Sequence, residues 1–147
     1  MKKQAYMIIT MIVLLTVAGL SSANAQTNGN PQLVANVPFA FNLGDKTMPA
    51  GEYIVQCTNP DSSQKVLRVR SKNGHDSTLV LTNSVTGKIN DDGRLVFYRY
   101  GDQYFFAQAW LPADNTGMQA PKSRGEKGRE LAREKRTTET VVATARR

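Results

Sequence analysis

The chain has 147 residues, with 19 lysines and arginines against 12 acids, one cysteine and one histidine. A single cysteine excludes an intramolecular disulfide, and a single histidine with no second cysteine argues against a zinc centre. The net charge of +7 is unevenly placed: residues 26–118 carry eight basic and eight acidic side chains, whereas residues 119–147 carry nine and four, so the positive average does not describe the expected folded part.

Taken in chain order, the first segment is a leader. "MKK" is cationic, "AYMIITMIVLLTVAGL" carries no charge, and "SSANAQ" places small residues at Ala23 and Ala25, the pattern a signal peptidase cuts after. As a helix, Ala5 to Leu20 reaches about 24 Å, short of the ~30 Å hydrocarbon core. The expectation is cleavage after Ala25, a secreted or periplasmic product and no transmembrane span in the mature chain. Residues 26–118 are expected to form a β-domain and residues 119–147 a basic tail.

Within the β-domain, "VPFAFNL" alternates apolar and small or polar positions, which marks a strand with one buried face. Pro38 suits a sheet edge, Gly44-Asp45 offers a tight turn, and "MPAG" a second. "EYIVQC" follows as a strand that places Cys57 inward. In "VLRVRSKNGHDSTLVLT", Asn73-Gly74 predicts a type I′ hairpin. Leu67, Val69, Thr78 and Val80 then share one face. Arg68, Arg70, Lys72 and His75 share the other with Leu79 and Leu81. "NSVTGKINDDG" reads as a loop. Gly101-Asp102 suits a type II′ turn that folds "LVFYRY" onto "QYFFAQAW". About six strands separated by such turns predict an all-β protein, a small antiparallel sandwich or barrel.

The stretch from Arg94 to Trp110 contains seven aromatics in seventeen residues. In the hairpin register one face reads Val96, Tyr98, Tyr100, Phe105, Ala107, Ala109 and Leu111, which is the expected core side. The other carries Phe97, Arg99, Tyr104, Phe106, Gln108 and Trp110, a candidate surface for stacking a small apolar or glycan ligand. The competing reading covers both faces and lays Arg99 over Tyr104 as a cation–π pair. Arg68, Arg70 and Lys72 form a short basic ladder that is a candidate anion site or simply a solvated face.

No catalytic constellation emerges. His75 sits at a hairpin tip without a serine and carboxylate in a triad pattern. "NDDG" lacks the spacing of a calcium loop, and "TGK" lacks a phosphate-binding glycine loop. No metal or cofactor is expected. In the basic segment, Ser123 to Glu126 is a capping-box pattern, but Gly125, Gly128 and the lone large apolar Leu131 make for a marginal helix. A weakly helical or disordered tail follows, either a solubilising segment without a partner or one that meets an anionic envelope surface, with no specific nucleic acid.

The segments "VPFAFNLGDKTMPAGEYIV" and "FYRYGDQYF" resemble those of a group of small, signal-peptide-bearing secreted bacterial β-proteins with VPF-x-F-x-x-G, PAG-x-Y and F-x-R-Y-G-x-x-Y-F signatures. The resemblance spans Val34 to Arg133. It implies one exported β-domain and transfers no site residues. The expected function is a non-catalytic exported protein associated with the cell envelope, in a binding or structural role. The alternative is a binding module for a small apolar or glycan ligand on the aromatic hairpin face.

Overall fold

The computed structural model describes residues 30–146; the leader assigned to residues 1–25 lies outside them. Ten strands and one helix follow in order: β1 (Gln32–Val37), β2 (Phe41–Leu43), β3 (Lys46–Met48), β4 (Gly51–Cys57), β5 (Lys65–Ser71), β6 (Ser77–Thr86), β7 (Gly93–Tyr100), β8 (Gln103–Trp110), β9 (Thr116–Gln119), α1 (Arg124–Leu131) and β10 (Arg136–Arg146). The all-β class holds, but the strand count exceeds the expected six.

Eight strands close into an antiparallel barrel in the order β8, β7, β10, β1, β4, β5, β6, β9 and back to β8. The free edge of β8 is shared. Its beginning pairs in parallel with β2 at Phe41↔Tyr104 and Asn42↔Phe105, and its end pairs with β9 at Gln108↔Gln119 and Ala109↔Met118. The small β2–β3 hairpin therefore extends the wall where β9 does not reach.

The expected single strand "VPFAFNL" is two. Pro38 has no N–H to give to a ladder, and the chain leaves β1 there and enters β2 in a different part of the sheet. The β2–β3 turn is the expected one, with Gly44 at φ +61° and Leu43 opposite Lys46. Gly101 at φ +60° links β7 and β8 as anticipated, since a type II′ turn needs a positive φ only at its first central residue. Between β5 and β6 the register is the predicted one, Val69↔Thr78 and Arg70↔Ser77. The turn chemistry differs: Gly74, not Asn73, takes the positive φ. The Gly74 N–H donates to the Ser71 carbonyl, and Asn73 Oδ1 accepts from Ser71 Oγ and the His75 N–H.

The largest correction concerns residues 119–147. Their described part is not a disordered tail. β10 lies between β7 and β1, paired along Arg136↔Tyr100 to Ala143↔Gly93 on one side and Gln32↔Arg146 to Val34↔Thr144 on the other. "RTTETVVATAR" is rich in threonine and valine, which suit a pleated, half-buried surface, and that preference outweighs its positive charge. Ala143 is buried and Val141 packs on the core. Gly93 lets β7 approach closely here, because a Cβ on it would sit 2.5 Å from Leu33 Cδ2.

Side chains fill the barrel interior. Leu33, Val37, Leu43, Met48, Val55, Leu67, Val69 and Leu95 are buried to 1% exposure or less, around an aromatic centre. Phe97 meets Phe39, Phe41 and Phe106 edge-on at 5.2, 5.1 and 5.7 Å, and Phe41 meets Tyr53 at 5.1 Å. Edge-to-face packing matches the positive rim of one ring to the negative face of the next. Cys57 is buried and free.

Candidate functional site

The aromatic hairpin does not present its six candidate residues on one surface. A bulge shifts the β7–β8 register, so that Phe97 faces Phe106 but Val96 faces Gln108. The extra residue, Ala107, turns the rest of β8 over. Phe97 and Phe106 belong to the barrel core, whereas Trp110 joins Val96 and Ala107 in a separate cluster with Val85 and Tyr98. Of the expected core side, Val96, Tyr98 and Ala107 lie in the outer cluster while Ala109 reaches the barrel core, and Tyr100 and Phe105 are buried; of the proposed ligand face, Phe97 and Phe106 enter the core and Trp110 joins the outer cluster.

Both sides are covered. Trp110 is 5% exposed. Its indole lies against Gly87 and Gly117, where an added Cβ would come within 2.4 and 2.6 Å of the ring. Arg94 caps the ring at 4.8 Å, and the indole N–H donates to Gln108 Oε1 at 3.0 Å. Arg99 and Tyr104 do stay together, as a cation–π pair at 5.4 Å. Phe39 stacks on Tyr104 with centroids 3.8 Å apart, and Arg99 Nε donates to the Gly101 carbonyl at 2.7 Å.

The basic ladder is reduced from three members to two. Lys72 lies in the turn and pairs with Glu52 at 2.8 Å. Arg68 and Arg70 are exposed on β5. Directly across, Arg68 opposes Leu79, Arg70 opposes Ser77 and Val66 opposes Leu81. On the β4 side, Gln56 opposes Arg68 and Ile54 opposes Arg70. Leu79 is 60% and Leu81 48% exposed. The outer wall thus carries two leucines and two arginines side by side.

His75 is exposed at the turn, beside Asp76, which pairs with Lys46 at 3.2 Å. Behind this turn lies a shallow cavity of about 360 Å³ lined by Tyr53, Ser71, Asn73 and Asp76 among others. Its polar groups are engaged with one another: Tyr53 Oη donates to the Pro49 carbonyl, and Ser71 Oγ accepts from the Asp76 N–H. Burial, reinforced by the Asp76 charge, pushes the Tyr53 phenol up from its ordinary range.

One charged cluster went unnoticed in the sequence. Ser123 caps α1 as expected, accepting from the Glu126 N–H at 3.1 Å. The Glu126 side chain does not complete a capping box. It is 3% exposed, and its Oε1 has no hydrogen-bond partner. Burial pushes its carboxyl above the usual range; the Lys122 charge opposes this, Glu130 adds to it, and Arg136 opposes. Glu130 is held below its usual range, chiefly by the Lys122 hydrogen bond. Tyr100 Oη donates to Glu130 Oε1 at 3.4 Å, and Arg136 lies 4.4 Å over the Tyr98 ring. The capping-box spacing was the available signal for the helix. Nothing local indicates that its glutamate would be covered by β7 and β10, because that burial depends on β10 being a strand. The Tyr100–Glu130 hydrogen bond ties the helix to β7 of the wall. Comparison with protein-family models, with curated proteins and with solved structures gives no match.

Proposed function

We infer that the chain is an exported, non-catalytic β-barrel protein of the cell envelope that acts through its outer surface, in a binding or structural role. The observation that carries this reading is the filled barrel: Phe41, Tyr53, Phe97 and the aliphatic rows around them occupy the interior. A barrel whose lumen is packed holds no small ligand inside, so encounters take place on the wall. The cationic, uncharged and small-residue sequence of residues 1–25 supports export.

The last 29 residues, expected to meet an anionic envelope surface as a loose tail, supply α1 and the wall strand β10. Lys122 and Arg136 share Glu130, and Arg129 faces Glu134, so two carboxylates engage three of the nine basic side chains of that segment. An aromatic ligand face on the β7–β8 hairpin loses its support, because Phe97 and Phe106 lie in the core. Fractionation of the producing cells with N-terminal sequencing tests the reading. The protein is expected in periplasm or envelope with Gln26 first; cytoplasmic protein starting at Met1 would refute it.

A further inference from the structure

Resting on that envelope reading, we propose that the outer wall of β5 and β6 is a docking surface for an anionic phospholipid bilayer, with Arg68 and Arg70 meeting lipid phosphates and Leu79 and Leu81 entering the acyl boundary.

The patch combines two features that one partner must satisfy together. Leu79 and Leu81 are outward neighbours on one strand, about 7 Å apart at the usual strand rise. They are the only two large exposed apolar side chains of the described residues that share a strand face; Ile89 stands alone in the β6–β7 connection, Leu131 on α1 and Val142 on β10. Half-buried Ile54 and Val66 widen the apolar area. Single surface leucines need no explanation, but adjoining ones beside further apolar groups mark an interaction face.

The charge on the same face is of one sign. The outward residues of β5 and β6 include no acid, and Glu52 on β4 is already held by Lys72. Neither Arg68 nor Arg70 takes part in an ion pair among the described residues. Guanidinium groups bind phosphate through two parallel hydrogen bonds.

A bilayer presents phosphates directly above hydrocarbon, which is the layering of this patch. An anionic polysaccharide or a nucleic acid would satisfy the arginines and leave both leucines in water. A second copy packed through a two-fold axis on this face would bring four arginines and no acid of β5 or β6 into one interface.

The test uses the processed protein purified from its producing cells, with vesicles of phosphatidylcholine alone and of equimolar phosphatidylcholine and phosphatidylglycerol. Binding to the anionic vesicles only, weakened by added salt, is expected. Arg68→Gln with Arg70→Gln should lower the affinity about 25-fold, at about 5-fold for each charge near an anionic surface. Leu79→Thr with Leu81→Thr should lower it about tenfold, from the apolar area left in water. All four side chains are exposed, and an unchanged near-UV spectrum verifies that the variants fold. Equal binding to both vesicle types, or variants that bind as the parent does, would overturn the proposal. So would self-association abolished by the leucine variants, or equal binding to a soluble anionic polymer. Fractionation separates the two readings: envelope-located protein that ignores anionic vesicles defeats the docking surface alone, whereas cytoplasmic protein defeats the envelope reading beneath it.

Discussion

Replacing Gly117 by alanine tests how the barrel is sealed. On β9, a Cβ at this position would lie 2.6, 2.7 and 2.8 Å from Cε2, Cδ2 and Cζ2 of Trp110. Carbon atoms in contact prefer about 3.5–4.0 Å, so the ring must retreat by about 1 Å. It has nowhere to go. Gly87 already touches its far edge, Arg94 lies 4.8 Å from its centroid, and the indole N–H is bonded to Gln108. If the ring stays, overpacking costs about 1–3 kcal/mol; if it is expelled, the lost burial costs about 2–3 kcal/mol. Either route destabilises, by about 1–3 kcal/mol. Trp110 is the sole tryptophan, so urea unfolding followed by its fluorescence reports stability and environment together. The variant should unfold at lower urea, and its native emission should shift to the red if the ring is expelled. A midpoint unchanged within error, with unchanged emission, would refute the packing of Trp110 across β9.

Gly128→Ala offers the opposite sign, because nothing lies within 4 Å of its added Cβ; in the interior of α1 it should stabilise by about 0.5–1 kcal/mol, read by the same unfolding curve. Glu126→Gln removes a carboxyl whose folded pKa is raised above its ordinary 4.5. Such a group favours the folded state below the unfolded value and loses that contribution as pH rises through the folded one. The thermal midpoint of the parent should therefore fall relative to the variant as pH climbs from 4.5, while Lys122, Glu130, Tyr100 and Arg136 remain common to both; parallel curves would refute the buried carboxylate. Deleting residues 136–147 removes β10 and exposes the edges of β7 and β1, so far-UV circular dichroism should show loss of the barrel; a cooperatively folding truncation would contradict the closure. Phe97→Ala, at the centre of three ring contacts, should cost about 3–5 kcal/mol in the same denaturation assay.

Local alternation made several strands readable. "YIVQC", "VLRVR" and "TLVLT" each place every second side chain in the core, and Cys57 points inward as its place in the pattern implies. Gly44 and Gly101 marked turns because those positions need positive φ. What stayed hidden depended on distant partners. Alternation could not say which face of β7–β8 was the interior, since rings lined both. The bulge at Ala107 leaves no compositional mark and reverses Trp110 relative to Phe106. β9 has four residues, too few to show a period. β10 was obscured by its neighbours: charge averaged over residues 119–147 concealed a threonine–valine run whose stability comes from β1 and β7 on either side. The arginine and leucine positions were legible one by one, and their common face followed from the hairpin register. The exposure of both leucines came only with the closed wall.

The placement of β10 has a bearing on the order of events in folding. It sits between the earliest described strand and a mid-chain hairpin, so two long-range ladders await the final residues of the described chain. Without Arg136–Arg146, the facing edges of β7 and β1 have no strand between them. Such distant pairings are slow to find, and bare margins invite association with other chains. Closure of the wall between β1 and β7 therefore requires the last described strand.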